Sequence, residues 1–304
     1  MKTFLSSSFN IFLIPALIFI LFFGCTNLGI ESEEEETITD YPWPREYYYA
    51  IWGVSPNIVF AGGSAGTILY YDGSEWEQMD SGTDQTILDI WGSSSDNIYA
   101  VGERGLLLHY DGSGWSEIDL GLLTGINAVW GSSAEDVFIA TAAGNLIQFD
   151  GNEWSELTSP VTVSINQLWG TSSDNIYAVS SEGSILNFDG SRWSIMSQNH
   201  PPLFALWGTS DGEKVYATGS GGTILKYNGS EWDIQQNNIS RGLYAIWGSS
   251  EDNIIVTGTE GTIVYYDGKT WRDQPQFTRE NISDVWGSRG SVFVVGGYGL
   301  IKQL

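Results

Sequence analysis

A Trp-Gly dipeptide recurs along the chain at nearly constant spacing, and this repeat limits the possible fold more than any other feature. The spacings between successive copies are 39, 39, 39, 38, 40 and 39 residues. The seven copies begin at Trp52, Trp91, Trp130, Trp169, Trp207, Trp247 and Trp286. A second tryptophan column (Trp76, Trp115, Trp154, Trp193, Trp232, Trp271) and a glycine column (Gly66, Gly105, Gly144, Gly183, Gly222, Gly261, Gly299) keep the same period. Three columns with one period indicate seven copies of one structural unit.

Each unit is predicted to form four short strands joined by tight turns. In the second unit, the apolar segments ILDIWG, IYAVG, LLLHY and WSEI are separated by SSSDN, ERG and DGSG. Asp-Gly between apolar runs is typical of hairpin turns with positive φ, and four antiparallel strands in about 40 residues is the arithmetic of a β-propeller blade. We therefore predict an all-β, seven-bladed β-propeller of four-stranded antiparallel blades over residues 38–304, with a tryptophan filling the gap between neighbouring blades.

The seventh unit contains only three of the four predicted strands, NISDVWG, SVFVVGG and GLIKQL. Residues 37–44 precede the first unit and include Trp43, which belongs to neither tryptophan column. We expect this N-terminal segment to supply the missing strand and so to close the last blade, because an exposed sheet edge promotes aggregation.

The first 37 residues are predicted to direct the protein rather than to fold with it. Residues 1–24 fit a secretory signal peptide, since the apolar run from Ile11 to Gly24 is shorter than the roughly 20 residues of a membrane span. Gly24 and Cys25 resemble the cleavage site of a bacterial lipoprotein, although Phe22 and Phe23 differ from the usual residues there. The resemblance implies lipidation of Cys25 and an acidic tether over residues 25–37. We expect an outer-membrane or cell-surface lipoprotein of the cell envelope, with a secreted or periplasmic protein as the alternative.

The charge balance excludes several classes of partner. The chain has 12 Lys and Arg against 37 Asp and Glu, giving a formal charge of −25. Nucleic acids and anionic lipid surfaces bind clustered basic residues, so we expect no nucleic-acid partner and membrane contact through the lipid anchor only. One Cys and two His leave thiolate and multi-histidine metal sites without enough ligands. No metal, no cofactor and a monomeric state are expected.

The repeated segment IWGSSSDNIYAVGERGLLLHYDGSGW resembles bacterial secreted β-propellers that are grouped with kelch, galactose-oxidase central-domain and BNR/YVTN-type repeats. The resemblance covers residues 38–304 and implies the propeller fold. Its Asp-Gly-x-x-Trp turn is similar to the sialidase Asp-box but lacks one residue between Asp and Gly. Members of such families include binding scaffolds, lectins, assembly factors and enzymes, so the fold does not specify the function.

Two groups of residues are candidates for binding. The position two residues before each Trp-Gly is small or polar, which suits a wet central channel, and Asp89, Gln167 and Asp284 are the polar members of this column. The variable segments that join one unit to the next should share one rim. On that rim the aromatic and basic side chains typical of interfaces are the second set of candidates. They are Tyr48, His200, Arg241, Phe277 and Arg279.

These candidates support three functional hypotheses. No catalytic constellation is recognisable, which favours a non-enzymatic, envelope-anchored binding scaffold that engages a protein or a glycan through its variable loop face. The second hypothesis is a carbohydrate-active hydrolase or lyase that uses Asp89 and Asp284, because glycoside hydrolysis requires two carboxyl groups roughly 5–10 Å apart. The third is an assembly factor for an envelope complex.

Overall fold

The computed structural model describes residues 46–304, and within this range the chain folds as a seven-bladed β-propeller. Each blade is one antiparallel sheet whose strands follow one another in sequence order. Seven such sheets stand around a central axis with the first strand of each innermost. The fold predicted from the repeats is confirmed.

Blades 1 to 6 each contain four strands. In blades 1 to 3 these are β1 (Tyr48–Ser55), β2 (Ile58–Gly63), β3 (Ile68–Tyr71), β4 (Trp76–Met79); β5 (Ile87–Ser94), β6 (Asn97–Gly102), β7 (Leu107–Tyr110), β8 (Trp115–Glu117); β9 (Ile126–Ser133), β10 (Asp136–Thr141), β11 (Leu146–Phe149) and β12 (Trp154–Leu157). In blades 4 to 6 they are β13 (Ile165–Ser172), β14 (Asn175–Ser180), β15 (Ile185–Phe188), β16 (Trp193–Ser197); β17 (Leu203–Gly208), β18 (Val215–Gly219), β19 (Ile224–Tyr227), β20 (Trp232–Ile234); β21 (Leu243–Ser250), β22 (Asn253–Gly258), β23 (Ile263–Tyr266) and β24 (Trp271–Asp273). Blade 7 has β25 (Ile282–Ser288), β26 (Ser291–Gly296) and β27 (Ile301–Gln303).

The tryptophan of each Trp-Gly dipeptide packs against the glycine of the Trp-Gly dipeptide in the next blade. A Cβ atom added to Gly92 of blade 2 would lie 2.8 Å from Cη2 of Trp52 of blade 1, so this glycine leaves the space that the neighbouring indole fills. The same contact recurs around the ring and ends with Trp286 of blade 7 on Gly53 of blade 1. The predicted role of the tryptophans is confirmed, and the pairing explains why glycine follows each of them.

Hydrophobic clusters lie between the blades and complete the ring. The cluster between the last and the first blade joins Phe293 and Val295 to Val59 and Leu69, all of them buried. The second strands are almost wholly buried in every blade, as their apolar sequence on both faces predicts. Burial of such apolar surface is the main driving force for folding.

Turn chemistry also agrees with the sequence. At the turn between β3 and β4, Oδ1 of Asp72 accepts the backbone N–H groups of Ser74 and Glu75, at 2.7 and 3.0 Å. Gly73, the second residue of this turn, has a φ of +97°, which a residue with a side chain rarely adopts. No helix long and apolar enough to cross a membrane occurs in residues 46–304.

The closure of blade 7 is a prediction on residues 37–44, which lie outside the described residues, as do the predicted signal peptide 1–24, Cys25 and the tether 25–37. The described chain begins where a blade-to-blade linker would end. The N–H of Gly299 donates to the carbonyl oxygen of Glu46 at 2.7 Å, and the N–H of Gly222 donates in the same way to Arg241 at 2.8 Å. Each acceptor stands two residues before an innermost strand, so the chain enters blade 1 along the path of the other linkers.

Candidate binding site at the mouth of the central channel

A β-bulge interrupts each innermost strand three residues before its tryptophan. In blade 1, Tyr48 pairs with Gly63 and Ala50 pairs with Gly62, which leaves Tyr49 between them without a partner. The same register shift occurs in all seven blades. The bulge residues are Tyr49, Leu88, Asn127, Asn166, Phe204, Tyr244 and Ser283. A bulge breaks the alternation of side chains between the two faces of a strand, so two consecutive residues are directed toward the axis.

The seven bulge residues surround a cavity of about 460 Å³ at one mouth of the central channel. Five further residues complete its wall: Tyr47, Asp89, Gln167, Asn281 and Asp284. We call this cavity the funnel. It opens on the face that carries the blade-to-blade linkers, because Tyr47 and Asn281 belong to those segments. Its volume is in the usual range of ligand pockets, about 300–1,000 Å³.

Aromatic rings form one side of the funnel. The rings of Tyr47 and Tyr49 stack with their centroids 4.7 Å apart. Phe204 and Tyr244 meet edge to face at 5.6 Å. Each of these rings is half-buried, so part of its surface stays open to the cavity. Such rings supply apolar contact area with few rotatable bonds.

Amide side chains form another part of the wall. The Nδ2 group of Asn127 donates to the carbonyl oxygen of Ile165 at 3.0 Å, and that of Asn166 donates to the carbonyl oxygen of Leu203 at 2.7 Å. Both amides therefore connect their blade to the next one. Gln167 makes no side-chain hydrogen bond within residues 46–304, so its amide is available to a ligand.

The two acids of the channel are held by backbone N–H groups of two blades each. Asp89 accepts the N–H of Ile90 through Oδ1 and that of Val129, in the next blade, through Oδ2, both at 2.9 Å. Asp284 accepts the N–H groups of Val285 and Ile51 in the same manner, both at 2.8 Å. Each carboxyl thus joins two neighbouring innermost strands, whose inner edges have no further strand to pair with.

Burial governs the protonation of these two acids. Loss of hydration raises the pKa of Asp89 to about 8, and the nearby charge of Asp284 contributes to this increase. Loss of hydration raises the pKa of Asp284 to about 7. The backbone hydrogen bonds act in the opposite direction, since they stabilise the ionised form, but burial dominates in both. Among residues 46–304, no Lys, Arg or His side chain lines the funnel.

The structure brings the three predicted channel residues together. Asp89, Gln167 and Asp284 all line the funnel, at the position two residues before Trp-Gly from which a channel location was predicted. The sequence analysis did not assign the column of bulge residues to the channel. Their signal is a column that varies between Tyr, Leu, Asn, Phe and Ser, whereas the column before it is Ile or Leu in every blade except blade 1.

The prediction that Tyr48 belongs to the binding rim is wrong. Its side chain is 0% exposed and packs among apolar residues between blades 1 and 7. Tyr48 stands at the start of its innermost strand, in a column whose other members are Ile or Leu and are buried as well. The physical reason is that this column faces the hydrophobic core, and the aromatic run Tyr47 to Tyr49 concealed that register.

The four remaining rim candidates lie in the linkers but do not line the funnel. Arg241 is half-buried and forms an ion pair with Asp273. Lys302 Nζ lies 4.8 Å from the ring centroid of Phe277, which packs against the core. The Nε2 atom of His200 lies 2.7 Å from Oγ of Ser197, and burial lowers its pKa. Only Arg279 is exposed as predicted for a residue of the binding rim.

Among residues 46–304, no cluster of three or more His, Cys, Asp or Glu side chains is arranged to hold a metal ion.

Known proteins resemble this chain in fold. No model of a protein family matches it, and no curated protein matches it either. Several solved structures, in contrast, match this chain in fold. YCF48 bound to D1 peptide has a TM-score of 0.71 and 18% identity, with 86% of this chain and 92% of that chain covered. YCF48 from Cyanidioschyzon merolae has a TM-score of 0.70 and 18% identity, covering 87% and 97%. The WD40 β-propeller domain of Doa1 has a TM-score of 0.71 and 13% identity, covering 86% and 93%. The shared feature is the propeller.

Proposed function

We propose that this protein is a non-enzymatic binding scaffold that holds a peptide segment of a partner protein in the funnel. The observation that carries the proposal is the set of seven bulges, which directs one side chain from every blade, a Tyr, Leu, Asn, Phe or Ser, into one cavity. A blade needs no such variety for its own stability, whereas recognition of a particular partner does. The cavity offers aromatic surface, a free amide and two acids, which suits mixed apolar and polar contacts.

A peptide is favoured over a glycan for two reasons. Sugars stack on open aromatic faces, whereas Tyr47 and Tyr49 cover one face of each other by stacking. A propeller of similar fold, YCF48, is described as bound to D1 peptide. A protein that assembles an envelope complex is one form that such a scaffold would take.

Binding of peptides from the host envelope tests the proposal. Envelope proteins would be digested, passed over the immobilised chain, and the retained peptides synthesised for measurement of Kd. Tyr244→Ala should weaken binding at least tenfold, or about 1.4 kcal/mol, because an aromatic anchor at the centre of an interface contributes strongly. Ile234→Ala is the matched control, since this apolar residue is 68% exposed on the outermost strand of blade 5. Equal loss in both variants, or retention of glycans instead of peptides, would overturn the proposal.

A hydrolase or lyase is the second candidate, and the raised pKa values of Asp89 and Asp284 are the observation that favours it. Against it, every carboxyl oxygen already accepts a backbone N–H group. Turnover would be measured on a panel of polysaccharides with the parent chain and with Asp89→Asn. Activity that disappears in this variant would establish the enzyme and contradict the scaffold.

The envelope location remains part of the proposal. It is supported by the apolar run followed by Gly24 and Cys25 in the sequence. Metabolic labelling with a palmitate analogue should label the parent chain and leave Cys25→Ser unlabelled in a bacterial host. Label on both proteins, or on neither, would contradict a lipid anchor at Cys25.

A further inference from the structure

We infer that the funnel receives a basic side chain, Lys or Arg, of the partner peptide and directs its cationic end toward Asp89 and Asp284. The inference rests on the proposed function and specifies the chemistry of the ligand at the same site. It follows from the order of groups along the channel, the free acceptor sites of the two carboxyls, and a wall to which residues 46–304 contribute no basic group.

The order of groups fits a long side chain with a charged end. Within each innermost strand the bulge residue stands one position closer to the linker face than the channel residue. Tyr49, Phe204 and Tyr244 therefore lie on one side of the opening, while Asp89 and Asp284 stand deeper. Aliphatic stems of Lys and Arg pack well on apolar surface while their charged ends reach polar groups, and aromatic faces attract cations directly.

The two acids retain acceptor capacity for a cation. Each carboxyl accepts two backbone N–H groups, one on each oxygen. A carboxylate has about four lone-pair sites, so about two remain on each acid. An ammonium or guanidinium group brings donors only. Guanidinium offers a planar set of five N–H groups that matches carboxylate oxygens. No basic group in the part of the wall that the structure describes competes for these sites.

The net charge of the whole chain also favours a basic ligand. The chain carries a formal charge of −25, so a cationic peptide is attracted at a distance and an acidic one is repelled. The funnel concentrates this preference because its two acids stand inside a narrow opening.

Protonation should be coupled to binding at this site. Burial raises the pKa of Asp89 to about 8 and that of Asp284 to about 7, so near pH 7 protons occupy part of the pair. Among residues 46–304, the other titratable groups that line the funnel are the phenols of Tyr47, Tyr49 and Tyr244, and burial raises the pKa of the latter two above the ordinary value. A cation stabilises the ionised acids and releases their protons. Affinity should therefore rise between pH 6 and pH 8, by up to about tenfold per pH unit for each proton released.

Calorimetry with two matched peptides tests the inference without any change in the protein. The probes are capped Ala-Ala-Arg-Ala-Ala and the same peptide with citrulline, which keeps the shape of arginine but has no charge. Each is titrated at pH 6, 7 and 8 in phosphate and in Tris, whose different ionisation enthalpies report the protons released. The arginine peptide should bind at least tenfold more tightly than the citrulline peptide at pH 8, with release of one to two protons at pH 7.

Protein variants locate the effect. Asp89→Asn with Asp284→Asn should abolish both the pH dependence and the preference for arginine. Tyr244→Leu should weaken arginine binding while proton release persists, which covers the case in which the acid variants fail to fold. Glu260→Gln is the control for general surface charge, because Glu260 is exposed on the linker face and does not line the funnel.

The outcomes separate this inference from the proposed function. Equal affinity for the arginine and citrulline peptides, combined with binding of other peptides that Tyr244→Ala weakens, would overturn the basic side chain and leave the peptide scaffold standing. No binding of any envelope peptide would remove both. A preference for arginine that survives in the double Asn variant would also overturn the inference, because the acids would then have no part in it.

Discussion

Replacement of both funnel acids by asparagine should flatten the dependence of folding stability on pH above pH 5. In the folded chain, burial raises the pKa of Asp89 to about 8 and that of Asp284 to about 7. In the unfolded chain an aspartate has a pKa of about 4. Between these values the folded state holds protons that the unfolded state has released. Each rise in pH therefore favours unfolding. The stability that the two raised pKa values contribute is fully present below about pH 4 and is lost as pH rises through the folded pKa values.

The size of the effect follows from the number of protons. One proton held only by the folded state changes the free energy of unfolding by about 1.4 kcal/mol per pH unit, and two protons by about 2.7 kcal/mol. The second value is an upper limit, approached between about pH 5 and pH 6, where the folded state holds nearly both protons and the unfolded state nearly none. The slope should decline near pH 7 as Asp284 loses its proton, and it should vanish above about pH 8.

Urea unfolding at pH 5, 6, 7 and 8 measures this slope in the parent chain and in the double variant. His109 and His200, whose pKa values burial lowers, contribute with the opposite sign, but they are present in both proteins and cancel in the difference. Asp72→Asn is the matched control, since hydrogen bonds from Ser74 and Glu75 lower the pKa of Asp72 and move its effect below pH 4. Parallel pH profiles for the parent chain and the double variant would refute the reasoning.

Four further predictions concern the ring itself. Trp130→Ala should destabilise the fold by about 3 kcal/mol, the lower end for a buried aromatic because this indole is half-buried; urea unfolding measures the loss, and an unchanged midpoint would contradict the role of the tryptophan ring. Gly170→Ala should cost about 1–3 kcal/mol by overpacking, since its new Cβ would lie 2.9 Å from that indole. Gly183→Ala should be more destabilising than Gly82→Ala, although the two glycines have nearly equal φ angles of +74° and +73°. The reason is that a Cβ atom at Gly183 would lie 1.9 Å from a backbone carbonyl oxygen, whereas one at Gly82 would meet no atom within 4 Å. Equal Tm values for the two variants would argue against a steric cause. Deletion of residues 37–44 should expose the edge of β27 and give aggregates on size-exclusion chromatography; a stable monomer would show that this segment does not close blade 7.

The repeat made most of the fold predictable. A constant period, Asp-Gly turns and second strands that are apolar on both faces are local signals, and each is repeated often enough to average out single exceptions. Strand number, blade number and the packing of the tryptophans followed from them. The placement of Asp89, Gln167 and Asp284 in the channel followed as well, because a column of small and polar residues beside the Trp-Gly motif is visible in the aligned units.

Placement of individual side chains at the mouth of the channel was less predictable. A bulge shifts by one position the set of residues that face the axis. The local sequence of Tyr47 to Tyr49 does not indicate at which residue this shift occurs. Consequently Tyr48 was assigned to the rim although it is buried, and its neighbour Tyr49, which faces the funnel, was not assigned to the channel.

The sequence by itself determined the architecture, because strand length, turn type and blade stacking depend on residues close together in the chain and on one repeated pattern. The tertiary structure alone decided what the channel mouth contains. Asp89 accepts a hydrogen bond from the backbone of blade 3, 40 residues further along the chain. Asp284 accepts one from the backbone of blade 1, 233 residues earlier in the chain. Such contacts arise only when the ring closes and brings seven innermost strands, each shifted by one bulge, around a common axis.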